Sequence, residues 1–187
     1  VGGPSVYPDQ PHGLWREISH FGYGNAFSAQ AFYPSDNSGQ HRRSMYTFWK
    51  RTSPPPAMIA FDAPTREVCA VSRSRTNTPL QALVLLNDPS YVAAANALAR
   101  LTIRHGGESV SQRLNFMFRR AVSRLPTDEE HEILGSRYAK AMKDYQSNPE
   151  AADGLAGHAG RSTAAEVAAW TLVASIILNL DEVITRE

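Results

Sequence analysis

From residue 78 onward, apolar residues recur every three or four positions, in blocks separated by capping residues, prolines and glycines. That spacing is helical, because 3.6 residues per turn bring i, i+3, i+4 and i+7 onto one face. Thr78-Pro79-Leu80-Gln81 supplies a hydroxyl cap, a proline at the first helical position and a glutamine able to reach back to the cap. It predicts a helix whose apolar face is Leu80, Leu83, Val84 and Leu86. Asp88-Pro89 repeats the device and predicts a second helix to about Arg104, striped by Val92, Ala95, Leu98, Ala99 and Ile103 and ended by Gly106-Gly107. Proline inside a continuous helix costs about 3 kcal/mol, so the two are predicted as separate or sharply kinked. Ser109 to Arg124 carries Val110, Leu114, Met117, Phe118, Ala121 and Val122 at helical spacing and is predicted to stop at Pro126. Thr127-Asp128-Glu129-Glu130 is a capping box whose acids complement a positive helix start, ahead of Ile133, Leu134, Tyr138, Ala141, Met142 and Tyr145. Ser147 to Gly160, rich in Gly, Ala and Asn, predicts a flexible loop. Thr163 caps a last helix that turns Val167, Trp170, Val173, Ala174, Ile177 and Leu178 inward.

Before residue 78 the pattern changes. Residues 1–40 are punctuated by Pro4, Pro8, Pro11, Gly13, Gly22, Gly24 and Gly39, too often for long elements. They still carry Tyr7, Trp15, Ile18, Phe21, Tyr23, Phe27, Phe32 and Tyr33, rings that loops bury against a neighbouring surface or, alternatively, present as a platform for a sugar or cofactor. Ser44 to Arg51 alternates with apolar residues on both sides and predicts a short strand buried on two faces. Pro54-Pro55-Pro56 predicts an extended spacer, Ala57 to Ala63 a short apolar turn, and Glu67 to Ser72 a second short strand. The fold expected is mainly α: a helical bundle-like domain of about five helices from residue 78 onward, with residues 1–77 as a long irregular, partly extended section.

Composition narrows the class. At 187 residues, 42% apolar and 20% charged, the chain is one globular domain or the C-terminal part of a larger one. A formal net charge of +1 argues against generic nucleic-acid binding. The charge is uneven: His41 to Arg75 holds seven Lys/Arg against Asp62 and Glu67, whereas Thr127 to Asp153 holds seven acids against Arg137, Lys140 and Lys143. Such a split serves internal pairing or turns a basic face to an anionic partner. The longest apolar run, Val167 to Leu180, is too short to span a membrane and predicts a buried helix. The chain opens at Val1-Gly2-Gly3-Pro4, as a processed or excised piece would.

Few motifs for chemistry emerge. The six histidines show no i,i+4 pair beside an acid, so no metal is expected, and the absence of Cys-x-x-Cys-His leaves no covalent haem in this chain. Cys69, the only cysteine, lies in an apolar run and is expected as a buried small hydrophobe. The candidate ligand-binding residues are Arg42, Arg43, Trp49, Arg51, Asp62, Arg66, Arg73 and Arg75, planar donors beside rings that suit an anionic or carbohydrate ligand. Two readings stand side by side. Either these arginines bind irregular backbone carbonyls and Asp62 caps a helix or pairs with Arg42, Arg43, Arg66 or Arg73. Or Arg42, Arg43, Asp62 and Arg66 form the site of a hydrolase or redox enzyme.

The stretches Gly2-Gly3-Pro4-Ser5-Val6-Tyr7-Pro8, Arg42 to Arg51, Phe61-Asp62-Ala63-Pro64, Arg75 to Leu83, Leu86-Asn87-Asp88-Pro89 and Asn179-Leu180-Asp181-Glu182 resemble the C-terminal portion of the planctomycete-specific PSD1-type domain of unknown function. The resemblance covers almost the whole chain; residues 9–40 and 146–162 match only in character. It implies the later portion of a longer, exported polypeptide with a companion domain, often c-type cytochrome-like, upstream. The expectations that follow are a periplasmic or cell-surface setting, a haem only on an associated domain, and upstream domains or a companion chain as partners. The resemblance brings no catalytic residues, and the chain is expected as a non-catalytic structural or binding module that docks to a redox or carbohydrate-handling neighbour.

Overall fold

The structure is a computed structural model describing residues 4–8, 10, 34–36, 42–50, 53–72, 76–157 and 163–185. The chain divides into two compact units, Val1–Val84 and Leu85–Glu187. It is mainly helical, as the periodicity predicts. The helices are α1 (Pro56–Ala60), α2 (Pro79–Asn87), α3 (Pro89–His105), α4 (Val110–Val122), α5 (Asp128–Ser147), α6 (Pro149–Ala156), α7 (Ala164–Leu178) and α8 (Asp181–Ile184). Among the described residues no strand forms.

The helix starts obey the capping chemistry in the sequence. Gln81 donates its amide to Thr78 Oγ1 and accepts the Thr78 amide on Oε1, opening α2. Asp88 accepts from the Ser90 amide, with Pro89 at the first position of α3. Reciprocal capping boxes join Ser109 to Gln112 and Thr127 to Glu130. Each satisfies two backbone donors that a helix start leaves open. Gly107 makes the sharp link between α3 and α4 at φ +91°, where an added Cβ would come within 2.6 Å of Gln112 Oε1. The end of α4 comes earlier than Pro126 predicts, because Ser123 turns left-handed at φ +68°.

In the unit Leu85–Glu187, α7 is the central element. Eight of its fifteen residues are buried, on all sides, as expected of a helix enclosed by others. It packs most extensively on α3, α5 and α6. Small side chains on both partners, Ala95 and Ala99 of α3 with Ala174 of α7, let the axes come close, and Trp170, Phe118, Leu114, Met117 and Ile177 fill the centre. Tyr138 of α5 stacks on Trp170 with centroids 4.3 Å apart; burial, then the nearby Glu166, raises its phenol above the usual range.

The segment predicted as a loop after Ser147 contains α6. Asn148 caps it by accepting from the Ala151 amide, Pro149 occupies its first turn, and Ala152 and Ala156 are buried. Its open C-terminal carbonyls are taken from outside: Asn96 Nδ2 donates to the Leu155 carbonyl, and Arg100 to that of Ala156. Two charged clasps hold the rest. Arg113 pairs with Glu166 at 2.6 Å and donates Nε to the Gly107 carbonyl. Arg124 forks onto both oxygens of Glu130 and of Glu182, with its guanidinium 4.8 Å from the Phe118 ring centre. The Arg124 bonds hold the Glu130 carboxyl down at about 2 and depress that of Glu182 as well.

The unit Val1–Val84 departs from the sequence reading in its extended parts. Ser44–Tyr46 is a 3-10 turn, followed by a single parallel bridge between Val6 and Thr47 rather than a strand. Met45 is 62% exposed, so this segment is not buried on two faces. Residues 67–72 are exposed bends, not a strand, and Cys69 is exposed with them. The short apolar turn after the prolines is α1, started by Pro56.

Candidate functional site

Of the candidate residues, Arg42, Arg43, Trp49, Asp62 and Arg66 are described, whereas Arg51, Arg73 and Arg75 lie outside the described residues. So do Trp15, Ile18, Phe21, Tyr23, Phe27, Phe32 and Tyr33. Inside the unit Val1–Val84, Arg42 and Arg66 bond backbone carbonyls, Arg66 also lies over Trp49, and Asp62 belongs to a separate hydrogen-bonded chain.

Arg66 is the hub. Its backbone is left-handed at φ +62°, which places the side chain back toward the 3-10 turn. Nη1 donates to the Thr47 carbonyl at 3.1 Å and Nη2 to that of Ser44 at 2.9 Å. The guanidinium also lies 5.1 Å from the Trp49 ring centre, within cation–π range. These carbonyls belong to the segment predicted as a strand, and the planar fork of arginine supplies donors where a neighbouring strand would have done so. Arg42 works in the same way. Nη1 donates to the Pro4 carbonyl at 2.9 Å, and the guanidinium sits 3.9 Å from the Tyr46 ring centre. The amides of Val6 and Phe48 close the contact across the bridge, at 2.9 Å each, with Tyr7 stacked on Phe48 at 5.1 Å. Arg43 is exposed at the head of the 3-10 turn.

Asp62 is bonded to Thr76, which is not among the partners expected; of those, Arg73 lies outside the described residues. Among the described residues it makes no ion pair with Arg42, Arg43 or Arg66. Oδ2 accepts from the Thr76 amide at 3.0 Å and from the Thr76 hydroxyl at 2.7 Å. Thr76 Oγ1 in turn accepts from Gln81 Nε2 at 3.1 Å. The proton donors therefore run in one direction, from Gln81 through Thr76 to the Asp62 carboxylate. Asp62 sits at φ +55°, a conformation that aspartate tolerates better than most residues. Gln81 is only 1% exposed, and all of its polar groups described above are paired. Thr76 is the residue that sequence reasoning missed. In the sequence it falls only inside the motif Arg75 to Leu83, and nothing in a spacing of fourteen residues announces a bond to Asp62.

On α2 burial departs from the prediction: of the predicted face Val84 is half-buried and the three leucines are exposed. Gln81 is buried, while Leu80 and Leu83 are each 57% exposed and Leu86 is exposed beside them in the helix. The apolar face read from the sequence exists, but these leucines stand at the surface.

Every described stretch just joined carries one of the motifs noted in the sequence: Pro4 to Tyr7, Arg42 to Trp49, Asp62 and Thr76 to Gln81. A family model agrees with this, matching residues 1–138 under the description PSD1, a protein of unknown function (DUF1553). The chain belongs to the PSD1 family. The matched span contains the whole unit Val1–Val84 and runs on through α3 and α4 into α5. No curated protein and no solved structure matches this PSD1 chain. Among the described residues of the PSD1 chain, no group of His, Cys, Asp and Glu is arranged to hold a metal ion, and no helix is long and apolar enough to cross a membrane.

Proposed function

We propose that this PSD1 chain is a non-catalytic structural and binding module of a large exported bacterial polypeptide, held in the periplasm or at the cell surface, that docks to a neighbouring domain of the same polypeptide. The observation that carries the reading is the burial pattern on α2. A buried glutamine locked by Thr76 and Thr78, beneath exposed leucines, is the signature of a helix whose apolar side is kept for something else. The candidate site residues fit this division of labour, since the Arg42, Arg66 and Asp62 side chains are engaged with their own fold. Leu80 and Leu83 alone expose too little area for a free complex, which needs on the order of 1,200 Å² or more in total. A tethered neighbour does not need that area, because its effective concentration reaches the millimolar range. The basic excess of Val1–Val84, eight Lys/Arg against five Asp/Glu, suits an acidic surface on that neighbour. The resemblance noted in the sequence favours a c-type cytochrome-like domain there, ahead of a carbohydrate-handling one, so that any haem belongs to the neighbour.

The test produces the chain and its neighbouring domain separately and measures their association. Leu80→Glu with Leu83→Glu is expected to keep the circular dichroism of the parent and to weaken association at least tenfold. Unchanged association would sink the reading. The enzyme reading draws on one observation, the left-handed backbone at both Asp62 and Arg66, because strained residues gather at active sites. It requires that Asp62→Asn abolish a measurable turnover while leaving the melting temperature in place.

A further inference from the structure

We propose that Asp181–Thr185 is an acid-released strap: protonation of Glu182 frees α8 from Arg124, while Glu130 keeps the junction between α4 and α5 closed. The inference goes beyond the binding-module reading and does not rest on it. It gives a role to Asn179-Leu180-Asp181-Glu182, a sequence motif that the docking surface leaves unused.

All five N–H groups of the Arg124 guanidinium are engaged. Nη1 donates to Glu130 Oε2 at 2.8 Å and to the Leu125 carbonyl at 3.1 Å. Nη2 is divided between Glu130 Oε1 at 2.7 Å and Glu182 Oε1 at 2.6 Å, and Nε donates to Glu182 Oε2 at 2.9 Å. The two arms are unequal. Glu130 also accepts from the Thr127 amide at 2.7 Å, so a backbone donor fixes it as well, and its side chain is 30% exposed. Among the described residues Glu182 accepts from Arg124 alone, and its side chain is 51% exposed. Little else holds α8. Its four residues fall short of the roughly twelve that an isolated helix needs, no side chain caps its start, and none of them is buried. It packs lightly on α4 and α7. A surface ion pair is weak, but on a segment with so few other contacts it decides between docked and free.

The neighbouring charges set the order of opening. The Arg124 hydrogen bonds depress the Glu182 carboxyl, whereas Glu130 and Asp181 repel its charged form and act against them. The other ionisable groups described on the elements packed against α8 are Arg113, Arg119 and Arg120 of α4 and Glu166 of α7, and Arg113 and Glu166 pair with each other. Glu130, held by Arg124 and by the Thr127 amide, stays charged down to about 2. The proton is therefore taken up at Glu182 first. Because both carboxyls are depressed in the folded chain, the strap is fully held above about 4.5 and is lost as pH falls, before the Glu130 arm opens.

The experiment follows the isotope-labelled full chain by NMR from neutral pH down to about 3. The Glu182 carboxyl signal is expected to titrate at higher pH than that of Glu130. Across the Glu182 titration the backbone order parameters of Val183 and Ile184 should fall from about 0.85 to below about 0.6, with those of Glu130 and Trp170 unchanged. Glu182→Gln removes the charge and keeps the size. Its α8 should be mobile already at neutral pH and insensitive to further acid. The proposal is overturned if Val183 and Ile184 lose order only together with Trp170, since α8 then belongs to the core. It is equally overturned if Glu130 titrates first, or if α8 in Glu182→Gln stays as ordered as in the parent. Should the variant fail to fold, the titration of the parent decides by itself. None of these results bears on the Leu80 and Leu83 association test, so the two readings fail separately.

Discussion

The two units are held by different physics. Leu85–Glu187 has an apolar centre in which Trp170, Phe118, Leu114 and Ile177 are fully buried and shape decides what fits. In Val1–Val84 the described residues that are buried include Thr47 and Gln81, and the segments are joined by named hydrogen bonds from Arg42, Arg66, Asp62 and Thr76. An apolar core tolerates exchange among hydrophobes of similar volume. A latch such as Gln81–Thr76–Asp62 does not, because each position needs a particular donor or acceptor at a particular reach. That difference accords with the longest literal motifs, Arg42 to Arg51 and Arg75 to Leu83, lying in the first unit, while the second is marked mainly by spaced apolar stripes and two short motifs, 86–89 and 179–182.

The sharpest contrast comes from deleting the centre of each unit. Trp170→Ala removes the largest fully buried side chain among the described residues and is expected to cost about 3–5 kcal/mol, read by urea unfolding of the whole chain. A cost below about 1 kcal/mol would mean that α7 is not the organising helix. Asp62→Ala removes the acceptor of two Thr76 bonds and places alanine at φ +55°, for an expected loss of about 1–3 kcal/mol. Asp62→Asn keeps an acceptor and should recover much of it. If asparagine is as damaging as alanine, charge rather than hydrogen bonding holds the latch.

The Arg124 clasp gives a prediction in pH. Glu130 is depressed from 4.5 to about 2, and Glu182 is lowered too. A carboxyl with a depressed folded-state value binds protons more readily when unfolded, so its contribution is complete above about 4.5 and declines as pH falls toward 2. The melting-temperature difference between the parent and Arg124→Gln should therefore be largest near neutral pH and shrink through that window. A difference independent of pH would assign Arg124 to packing on Phe118 alone. The smallest effect is expected at the α2 surface. Leu80→Gln with Leu83→Gln should change the stability of the isolated chain by no more than about 0.5 kcal/mol, because both side chains already face water. A large loss would mean that the leucines are core, and would remove the basis of the docking proposal.

Helix positions were legible because their signals are local. Thr78-Pro79, Asp88-Pro89, Ser109, Thr127 and Thr163 each carry cap chemistry within four residues, and each starts a helix. Asn148-Pro149 carries the same signal and was obscured by the Gly- and Ala-rich composition around it. A helix of eight residues is marginal alone, and α6 depends on Asn96 and Arg100 from α3, which no local pattern reveals. The expected strands failed for a related reason. Alternation marks a segment able to pair, not one that has a partner, and at Ser44 to Thr47 the Arg66 guanidinium takes the carbonyls instead. At the candidate site the residue types were legible. That Arg42 and Arg66 would bind backbone carbonyls was one of two open readings, while Thr76 as the partner of Asp62 depends on a return of the chain that only three dimensions show.

The central proposal is that Asp62 serves as a structural acceptor for Thr76. Native-state hydrogen exchange at the Thr76 amide tests it most directly, since that proton is donated to Asp62 Oδ2 at 3.0 Å. In Asp62→Ala the amide should exchange at least tenfold faster, with the α7 amides around Trp170 unchanged. Exchange at Thr76 equal to that of the parent would contradict the account.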